Sequence, residues 1–487
     1  MMPPMPFDTA AAQVAALRAR RVSATELLEE AFRRIDAHHA ALNAVVVQDR
    51  EGARRAAAEA DAALARGEQR PLLGLPMTVK ECFDIAGLPT TWGLPGTEKI
   101  PVTRDAVVVQ RLRAAGAVVL GKTNVPPNLG DWQSANPVYG RTNNPWDLAR
   151  SPGGSSGGSA AALAAGLVAL EMGSDIGGSL RVPAHCCGVF AHKSSHGLVP
   201  GRGNAPPGTP ALSVANEVDL AVSGPMARSA ADLALALDIV AGPDEDRAHA
   251  WKLQLPPPRH QRLADFRVLV LREHPLLPTG REVAALQARW VEDLARAGAR
   301  VVERHPALPD LLRMARTYNH LLLAFFGATL PTAEYEGLKQ AAAALAPTDD
   351  SPAAQQLRAF ASSHREWIAA DHVRTFVRHG WRQLFAEVDV VVAPVMPLPA
   401  LPHSGAPMEQ RTIEVDGRTL PYPLLGAWAG PATLAGLPAT AFPIGLTPGG
   451  LPVGLQAIGP QFEDRTTIAF ATACEQAFGG FRAPPGY

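Results

Sequence analysis

Short apolar strands alternate with amphipathic helices along most of this chain, and the alternation predicts an α/β fold with helices on the faces of a sheet. The sequence Ser23-Ala-Thr-Glu26 is a capping-box pattern, which marks the start of a helix. Residues 308–385 are also predicted to be helical, without an evident partner in the sheet. Strands are predicted at 75–79, 117–120, 267–271, 300–303 and 388–393, and helices at about 51–66, 105–115, 229–240 and 281–297.

The composition excludes several classes of protein. Hydrophobic residues make up 47% of the 487 residues and charged residues 19%, below the roughly 25% of an average globular protein, so a large core is expected. The net charge of −1 gives no electrostatic reason to bind nucleic acid or an anionic membrane. No apolar run reaches the roughly 18 residues of a membrane span, and no signal-peptide pattern is seen. Four sparse cysteines indicate reduced thiols in a cytoplasmic protein rather than a disulfide framework.

Two glycine-flanked serine clusters make residues 151–183 the stretch most informative about chemistry. The first is Gly153-Gly-Ser-Ser-Gly-Gly158, and the second is Asp175-Ile-Gly-Gly-Ser179. Glycine lets the backbone approach a ligand, and successive N–H groups can stabilise the oxyanion that forms when a carbonyl is attacked. Ser179 is therefore a candidate nucleophile, and it needs a neighbouring group that takes its proton.

The residues alone leave the identity of that base open. Histidine is the default, and His185, His192 and His196 are candidates for a Ser–His–Asp arrangement with Ser179. No G-x-S-x-G nucleophile elbow surrounds Ser179, so the α/β-hydrolase alternative has weak support.

Two other motifs offer competing functions. Residues 116–123, GAVVLGKT, satisfy the phosphate-loop pattern, but their middle positions read as a strand and two prolines follow soon after, so nucleotide binding is not expected. The segments His185-Cys186-Cys187 and His192–His196 contain metal-ligand residue types. Their spacing matches no zinc pattern, so core packing and loop hydrogen bonds are expected there, and no metal.

Longer stretches of the chain resemble the amidase signature family. GGSSGGSAAA (153–162) and GSDIGGSLRVPA (173–184) are similar to its signature, and LGLPMTVKECFDIAG (73–87) resembles the segment that carries its catalytic lysine. Further similar runs occur at 116–126, 136–147, 223–244 and 435–459, and the similarity is weakest from about 250 to 385.

This resemblance implies a Ser–Ser–Lys triad. The catalytic lysine falls on Lys80, the bridging serine on a cis peptide bond falls on Ser155, and the nucleophile falls on Ser179. Burial would lower the pKa of the lysine so that it acts as a neutral base without a cofactor. The oxyanion hole falls on the backbone N–H groups of Ile176, Gly177, Gly178 and Ser179.

Three supporting residues are expected around the triad. Asp175 and Arg181 flank the nucleophile loop and either brace it or form a plain ion pair, and Ser156 is expected to hydrogen-bond to Ser155. The resemblance also places Leu129, Gly130, Asp131 and Trp132 in an acyl pocket; Trp132 is a pocket wall or part of the core, and Trp428 is a weaker candidate of the same kind.

The resemblance implies one large α/β unit over residues 1–487, with a mixed, twisted sheet covered by helices on both faces. Its parts are N-terminal helices (1–70), a catalytic core (about 71–245), a more variable helical region (about 250–385) and a C-terminal core segment (about 386–487). The implied activity is hydrolysis of a small-molecule amide. A carbamate or ester hydrolase with the same triad is the alternative, and the protein is expected to be a monomer or a homodimer.

Two departures from the family pattern bear on specificity. Glutamine-dependent tRNA amidotransferase subunits carry Thr before Gly-Gly-Ser and Gln after the Arg, where this chain has Ile176 and Val182. This difference disfavours an amidotransferase subunit. The family usually reads G-L-K-P-T where this chain has Ala191-His-Lys-Ser-Ser-His196, so the neighbouring loop is expected to differ.

Overall fold

The computed structural model describes residues 6–487, and eleven strands within that range form one mixed sheet. Their spatial order is β1-β3-β2-β6-β8-β7-β14-β15-β11-β9-β10, and two small hairpins, β4–β5 and β12–β13, lie outside it. The strands are β1 Val45–Gln48, β2 Pro76–Lys80, β3 Val118–Thr123, β4 Ala135–Asn136, β5 Gly140–Arg141, β6 Leu170–Asp175, β7 Phe190–Lys193, β8 Val222–Ala227, β9 Arg267–Val270, β10 Arg300–Val302, β11 Val390–Pro394, β12 Thr412–Val415, β13 Arg418–Pro421, β14 Ala439–Leu446 and β15 Pro452–Ile458.

Helices cover both faces of this sheet. They are α1 Ala10–Arg18, α2 Ala24–Leu42, α3 Arg50–Ala65, α4 Val107–Ala114, α5 Gly157–Ala164, α6 Arg181–Cys187, α7 Pro210–Ser213, α8 Ala230–Val240, α9 Asp246–Ala250, α10 Arg281–Arg296, α11 Leu311–Thr329, α12 Thr332–Ala343, α13 Pro352–Phe360, α14 His364–Glu387, α15 Gly430–Ala435 and α16 Asp464–Phe478. None of the helices within residues 6–487 is long and apolar enough to cross a membrane.

Alternation of side chains along the strands divides the core into two layers. In β11, Val391 and Ala393 pack into one layer while Val390 and Val392 pack into the other, as expected where successive side chains point to opposite faces. Apolar residues of α2, α3, α5, α6, α11, α14 and α15 fill the first layer, and those of α4, α8, α10 and α16 fill the second. The α/β fold expected from the sequence is confirmed.

The pairing of β2 with β6 positions the site. The two strands are parallel, with Thr78 opposite Glu171 and Val79 opposite Met172. The carboxyl ends of parallel strands meet at one edge of a sheet, so Lys80 and Asp175, the last residues of these strands, lie at the same edge. In open α/β sheets, ligands bind outside this edge.

Candidate active site

Lys80 is fully buried at the end of β2, and hydroxyl groups surround its amine. Its Nζ lies 2.7 Å from Ser155 Oγ and 2.9 Å from Ser174 Oγ. Burial lowers the pKa of Lys80 to about 8, although Cys82 and Asp175 oppose the shift, because desolvation disfavours the ammonium. With this pKa, roughly a tenth of the amines are neutral at pH 7, and a neutral amine accepts protons.

Ser155 follows a cis peptide bond, Gly154–Ser155, in the loop that precedes α5. This loop packs tightly against residues 131–134. The approach is so close that a Cβ on Gly154 would collide with the carbonyl oxygens of Asp131 and Gln133. Ser134 Oγ donates to the Gly153 carbonyl at 3.1 Å. These contacts fix the backbone around Ser155 and so keep its hydroxyl next to the Lys80 amine.

The Ser179 loop joins β6 to α6 and is organised by a buried ion pair. Arg181 donates to both carboxylate oxygens of Asp175, at 3.0 Å and 2.9 Å, and both side chains are almost completely inaccessible. Burial alone would raise the pKa of Asp175, but the charge and hydrogen bonds of Arg181 lower it to about 2. The guanidinium also donates to Ala429 O, Gln456 Oε1 and Thr433 Oγ1. The pair therefore ties the nucleophile loop to the C-terminal segment.

The backbone N–H groups of this loop have different partners. Gly178 N–H donates to Asp175 Oδ1 at 2.9 Å, and Leu180 N–H donates to Oδ2 at 3.1 Å. Gly178, expected in the oxyanion hole, therefore has its N–H occupied by the carboxylate. Within residues 6–487, no partner is found for the N–H groups of Ile176, Gly177 and Ser179. Three N–H groups of the Ser179 loop thus have no partner within the described residues.

The two serine loops meet through their backbones. Ser156 N–H donates to the Ser179 carbonyl at 3.1 Å, and Ser156 Oγ donates to the Ser174 carbonyl at 3.4 Å. The expected bond from Ser156 to Ser155 is therefore replaced by bonds to the strand and loop on the other side. No side-chain hydrogen bond joins Ser155 and Ser179 in the described part of the chain. What brings these serines together is the Ser156–Ser179 backbone contact.

Two aromatic side chains hold the carbonyls of the nucleophile loop. Trp132 Nε1 donates to the Gly177 carbonyl at 2.8 Å, and the Tyr318 hydroxyl donates to the Ile176 carbonyl at 2.9 Å. Trp132 was predicted from the sequence as a site residue, whereas Tyr318 was not, because α11 lies in the region where the family resemblance is weakest. No periodicity in that helix indicates which of its polar groups faces the site.

The expected acyl-pocket residues have unequal environments. Asp131 accepts hydrogen bonds from Arg411 Nη1 at 2.6 Å and from the Tyr422 hydroxyl at 2.9 Å, so both of its carboxylate oxygens already have a partner. Trp132 is half-buried and packs on the Tyr422 ring, with centroids 5.5 Å apart. Gly130 is exposed and Leu129 is half-buried. Trp428 is completely buried and belongs to the core.

The candidate metal-ligand histidines His185 and His192 and all four cysteines are buried in the core. Within residues 6–487 no cluster of three or more His, Cys, Asp or Glu side chains could hold a metal. His185 bonds to the backbone carbonyls of Gly454 and Leu398, and His192 bonds to Thr440 and Asp464. The third candidate, His196, bonds to the Val218 carbonyl. Within residues 6–487 none of the three histidines has a hydrogen bond to Ser179, so the structure does not support the Ser–His–Asp alternative.

The phosphate-loop pattern lies in a strand. Gly121, Lys122 and Thr123 belong to β3, and Lys122 Nζ donates to the Pro89 carbonyl at 2.6 Å and to Thr90 Oγ1 at 2.8 Å. No glycine loop is available here to surround a phosphate, as the local sequence predicted.

Comparison with known proteins decides the family. A family model described as Amidase matches residues 26–468. The chain belongs to the amidase family. It is 32% identical to a glutamyl-tRNA(Gln) amidotransferase subunit from Koribacter versatilis (strain Ellin345), over 95% of this chain and 96% of that protein. It is also 32% identical to an indoleacetamide hydrolase of Bradyrhizobium diazoefficiens (strain JCM 10833 / USDA 110), over 97% and 86%.

A solved amidase-family structure confirms the fold. The peptide amidase of Stenotrophomonas maltophilia superimposes with a TM-score of 0.76 at 29% identity, covering 99% of each chain. The match extends through residues 250–385, where the sequence resemblance was weakest. The helical region is therefore part of the amidase fold.

Proposed function

We propose that this amidase-family chain hydrolyses the carbon–nitrogen bond of a small amide through an acyl-enzyme on Ser179. The observation that carries the proposal is the buried Lys80 amine, 2.7 Å from Ser155 Oγ, beside a serine loop with three unpaired N–H groups. A neutral base, a bridging hydroxyl, a nucleophile and oxyanion donors are the parts that acyl transfer needs.

The proposed reaction begins with proton transfer along the triad. Neutral Lys80 takes the proton of Ser155 while Ser155 takes the proton of Ser179. The Ser179 oxygen bonds to the carbonyl carbon, and the oxyanion accepts hydrogen bonds from Ile176, Gly177 and Ser179 N–H groups. The proton returns through Ser155 to the nitrogen, the carbon–nitrogen bond breaks, and the amine leaves. Water then attacks the ester by the same relay and releases the acid.

The relatives support an amide as substrate. Two of them are named for amide hydrolysis, an indoleacetamide hydrolase and a peptide amidase. Half-buried Trp132 and Ile176 favour an aryl or apolar acyl group next to Ser179. Carbamates and esters share the acyl chemistry and are the alternative substrates.

Amidotransferase subunits are also among the relatives, but the loop of this chain favours simple hydrolysis. Ile176 has no hydroxyl to orient a polar substrate such as glutamine, and Val182 has no amide. An ammonia-transferring subunit would also need a partner that receives the ammonia.

The proposal is tested with a fluorophosphonate probe, which forms a covalent bond with activated serines. Mass spectrometry is expected to map the adduct to Ser179 and to find none in Ser179→Ala. Ser223→Ala is the matched control, because Ser223 is also buried and its hydroxyl has no partner; this variant should label like the parent protein.

The role of the lysine is tested in the same assay. Lys80→Met is expected to slow labelling at least a hundredfold, in line with the roughly 10²–10⁴-fold contribution of a general base. Lys122→Met replaces another fully buried lysine and should label normally. Labelling of a different serine, or unchanged labelling in Lys80→Met, would exclude this triad; hydrolysis assays on amides, carbamates and esters then rank the substrates.

A further inference from the structure

We infer that Tyr318 is a positioning residue that orients the Ile176–Gly177 peptide, so that the Gly177 N–H faces the substrate oxygen. The inference rests on the proposed function, because it assigns how one oxyanion donor is held. It concerns a residue of α11, which contributes neither nucleophile nor base.

The two successive peptides of the nucleophile loop are restrained differently. In the Gly177–Gly178 peptide, the carbonyl accepts from Trp132 and the N–H donates to Asp175, so both ends are fixed by the protein. In the Ile176–Gly177 peptide, the carbonyl accepts from Tyr318, and the N–H has no partner within the described residues. One peptide is therefore fully satisfied, and the other is held at one end only.

A hydrogen bond on the carbonyl fixes the N–H as well. Both peptides are trans, since the cis bond found in residues 6–487 is Gly154–Ser155. A trans peptide is planar, and its N–H points opposite to its C=O. The Tyr318 hydroxyl at 2.9 Å therefore sets the direction of the Gly177 N–H. Donation to the carbonyl also polarises the peptide, which strengthens its N–H as a donor.

The Tyr318 hydroxyl is itself held firmly. Burial and the Asp175 charge raise the pKa of Tyr318, so the hydroxyl stays a donor at any working pH. The ring lies against Gly430, where an added Cβ would come within 3.1 Å of Cδ1, and a Cβ on Gly177 would lie 3.3 Å from the hydroxyl oxygen. Small residues on both sides therefore let the tyrosine reach the carbonyl.

The contact also gives the helical region a role at the site. The ring belongs to α11, and α11 is joined to the sheet layer through buried residues that include Met314 and Leu321. Through this bond, a shift of α11 would move the Ile176–Gly177 peptide and so change the direction of its N–H. An enzyme with a different residue here would have to orient that peptide in another way.

The test compares Tyr318→Phe with Tyr139→Phe in steady-state hydrolysis of the best amide found for the parent protein. Tyr318→Phe removes one oxygen and leaves the ring in place. Loss of an oxyanion donor costs roughly 10²–10³-fold in kcat, and an indirect effect through orientation should be smaller. We expect kcat to fall about tenfold with KM changed less than twofold. Tyr139 donates to Glu81 at 3.3 Å, away from the nucleophile loop, so Tyr139→Phe should keep the parent kcat.

A trifluoromethyl ketone analogue of the amide adds a second readout. It forms a tetrahedral oxyanion adduct on the serine, and its affinity should weaken about as much as kcat/KM in Tyr318→Phe. An unchanged kcat, a higher KM at constant kcat, or an equal loss in Tyr139→Phe would overturn the inference. No turnover and no fluorophosphonate adduct in the parent protein would instead reject the proposed function.

Discussion

Lys80 lies in the core with hydroxyls around its amine, and this environment sets its acid–base behaviour. Its two hydrogen-bond partners in residues 6–487 are Ser155 and Ser174, so no carboxylate contacts Nζ to hold the proton. Burial lowers the pKa of Lys80 more than the Asp175 charge raises it. The amine therefore exchanges its proton in the range where enzymes operate.

The first prediction concerns pH. In the proposed mechanism the neutral amine is the active form, and the pKa of Lys80 is about 8, so kcat/KM should rise with pH and level off above about 9. Below pH 8 the ammonium dominates, and kcat/KM should fall roughly tenfold per pH unit. Initial rates between pH 5.5 and 10 check this. A flat profile, or one that rises with a midpoint near 6.5, would indicate a different base.

The second prediction concerns the buried ion pair. Arg181→Met leaves the Asp175 carboxylate buried without its partner, and loss of one partner of a buried pair costs about 3–5 kcal/mol. Urea unfolding at pH 7 should show this loss. Arg33→Met, which removes an exposed, solvent-screened pair with Glu30, should cost far less; similar losses in the two variants would contradict the assigned role.

The lowered pKa of Asp175 also determines how the stability lost in Arg181→Met depends on pH. Its folded-state pKa, about 2, is below the ordinary value of 3.8, so the pair stabilises the fold above about pH 4. That contribution is lost as the pH falls through 2. The difference between Arg181→Met and the parent protein should therefore shrink in strong acid.

Among the elements, the pairing of β2 with β6 contains a second buried acid. Glu171 is fully buried opposite Thr78, which donates to its carboxylate, and its Oε2 has no partner among the described residues. Burial raises the pKa of Glu171 to about 8, so the acid is largely neutral at pH 7. The folded protein binds this proton more tightly than the unfolded chain, so stability falls as the pH rises from about 4.5 to 8.

The third prediction is that Glu171→Gln removes this pH dependence. Glutamine keeps an acceptor for Thr78 and cannot ionise. The free energy of unfolding of the variant should match that of the parent protein near pH 5 and exceed it by up to about 4 kcal/mol at pH 9. Urea titrations at both pH values measure the difference, with the exposed Glu51→Gln as control. An equal difference at both pH values would show that Glu171 is ionised throughout.

Local chemistry predicted several elements of this fold well. The capping box at Ser23 is present, with Ser23 and Glu26 bonded reciprocally at the start of α2. The strand before Lys80 also ends where the apolar run ends. In contrast, no strand was predicted in residues 435–459, yet they contain β14 and β15. Their register shifts between Pro443 and Gly445, so the residues that break the apolar pattern are accommodated by a bulge.

The sequence predicted those site residues that lie within recognisable motifs. Lys80, Ser155, Ser179, Asp175 and Arg181 were named from such motifs, and the structure brings them to one edge of the sheet. What the motifs could not indicate was the direction of individual N–H groups. The Gly178 N–H donates to Asp175, whereas the N–H of Gly177 does not, and nothing in the run Ile-Gly-Gly-Ser distinguishes the two glycines in advance.

On the scale of the whole molecule, the sheet joins segments that are distant in the chain. β11 pairs with β15 on one side and with β9 on the other, and the sheet runs from β1 at one edge to β10 at the other. One core layer contains residues from Leu17 to Ile458. The helical region is linked to this layer through Trp381 and to the nucleophile loop through Tyr318. No segment between residues 6 and 487 therefore has a core of its own that could survive loss of the sheet.

The fourth prediction follows from this connectivity: the chain should unfold in one cooperative transition despite its length. Trp fluorescence reports all eight tryptophans, among them Trp132 near the nucleophile loop and Trp290, Trp367 and Trp381 in the helical region, while far-UV circular dichroism reports the helices. Their urea midpoints should coincide, as two-state unfolding requires, and Arg181→Met should shift both by the same amount. A second transition in either signal would show that part of the chain, such as residues 250–385, unfolds as an independent unit. In that case Tyr318 would be carried by an element that opens on its own, and its hold on the nucleophile loop would weaken under conditions where the sheet is still intact.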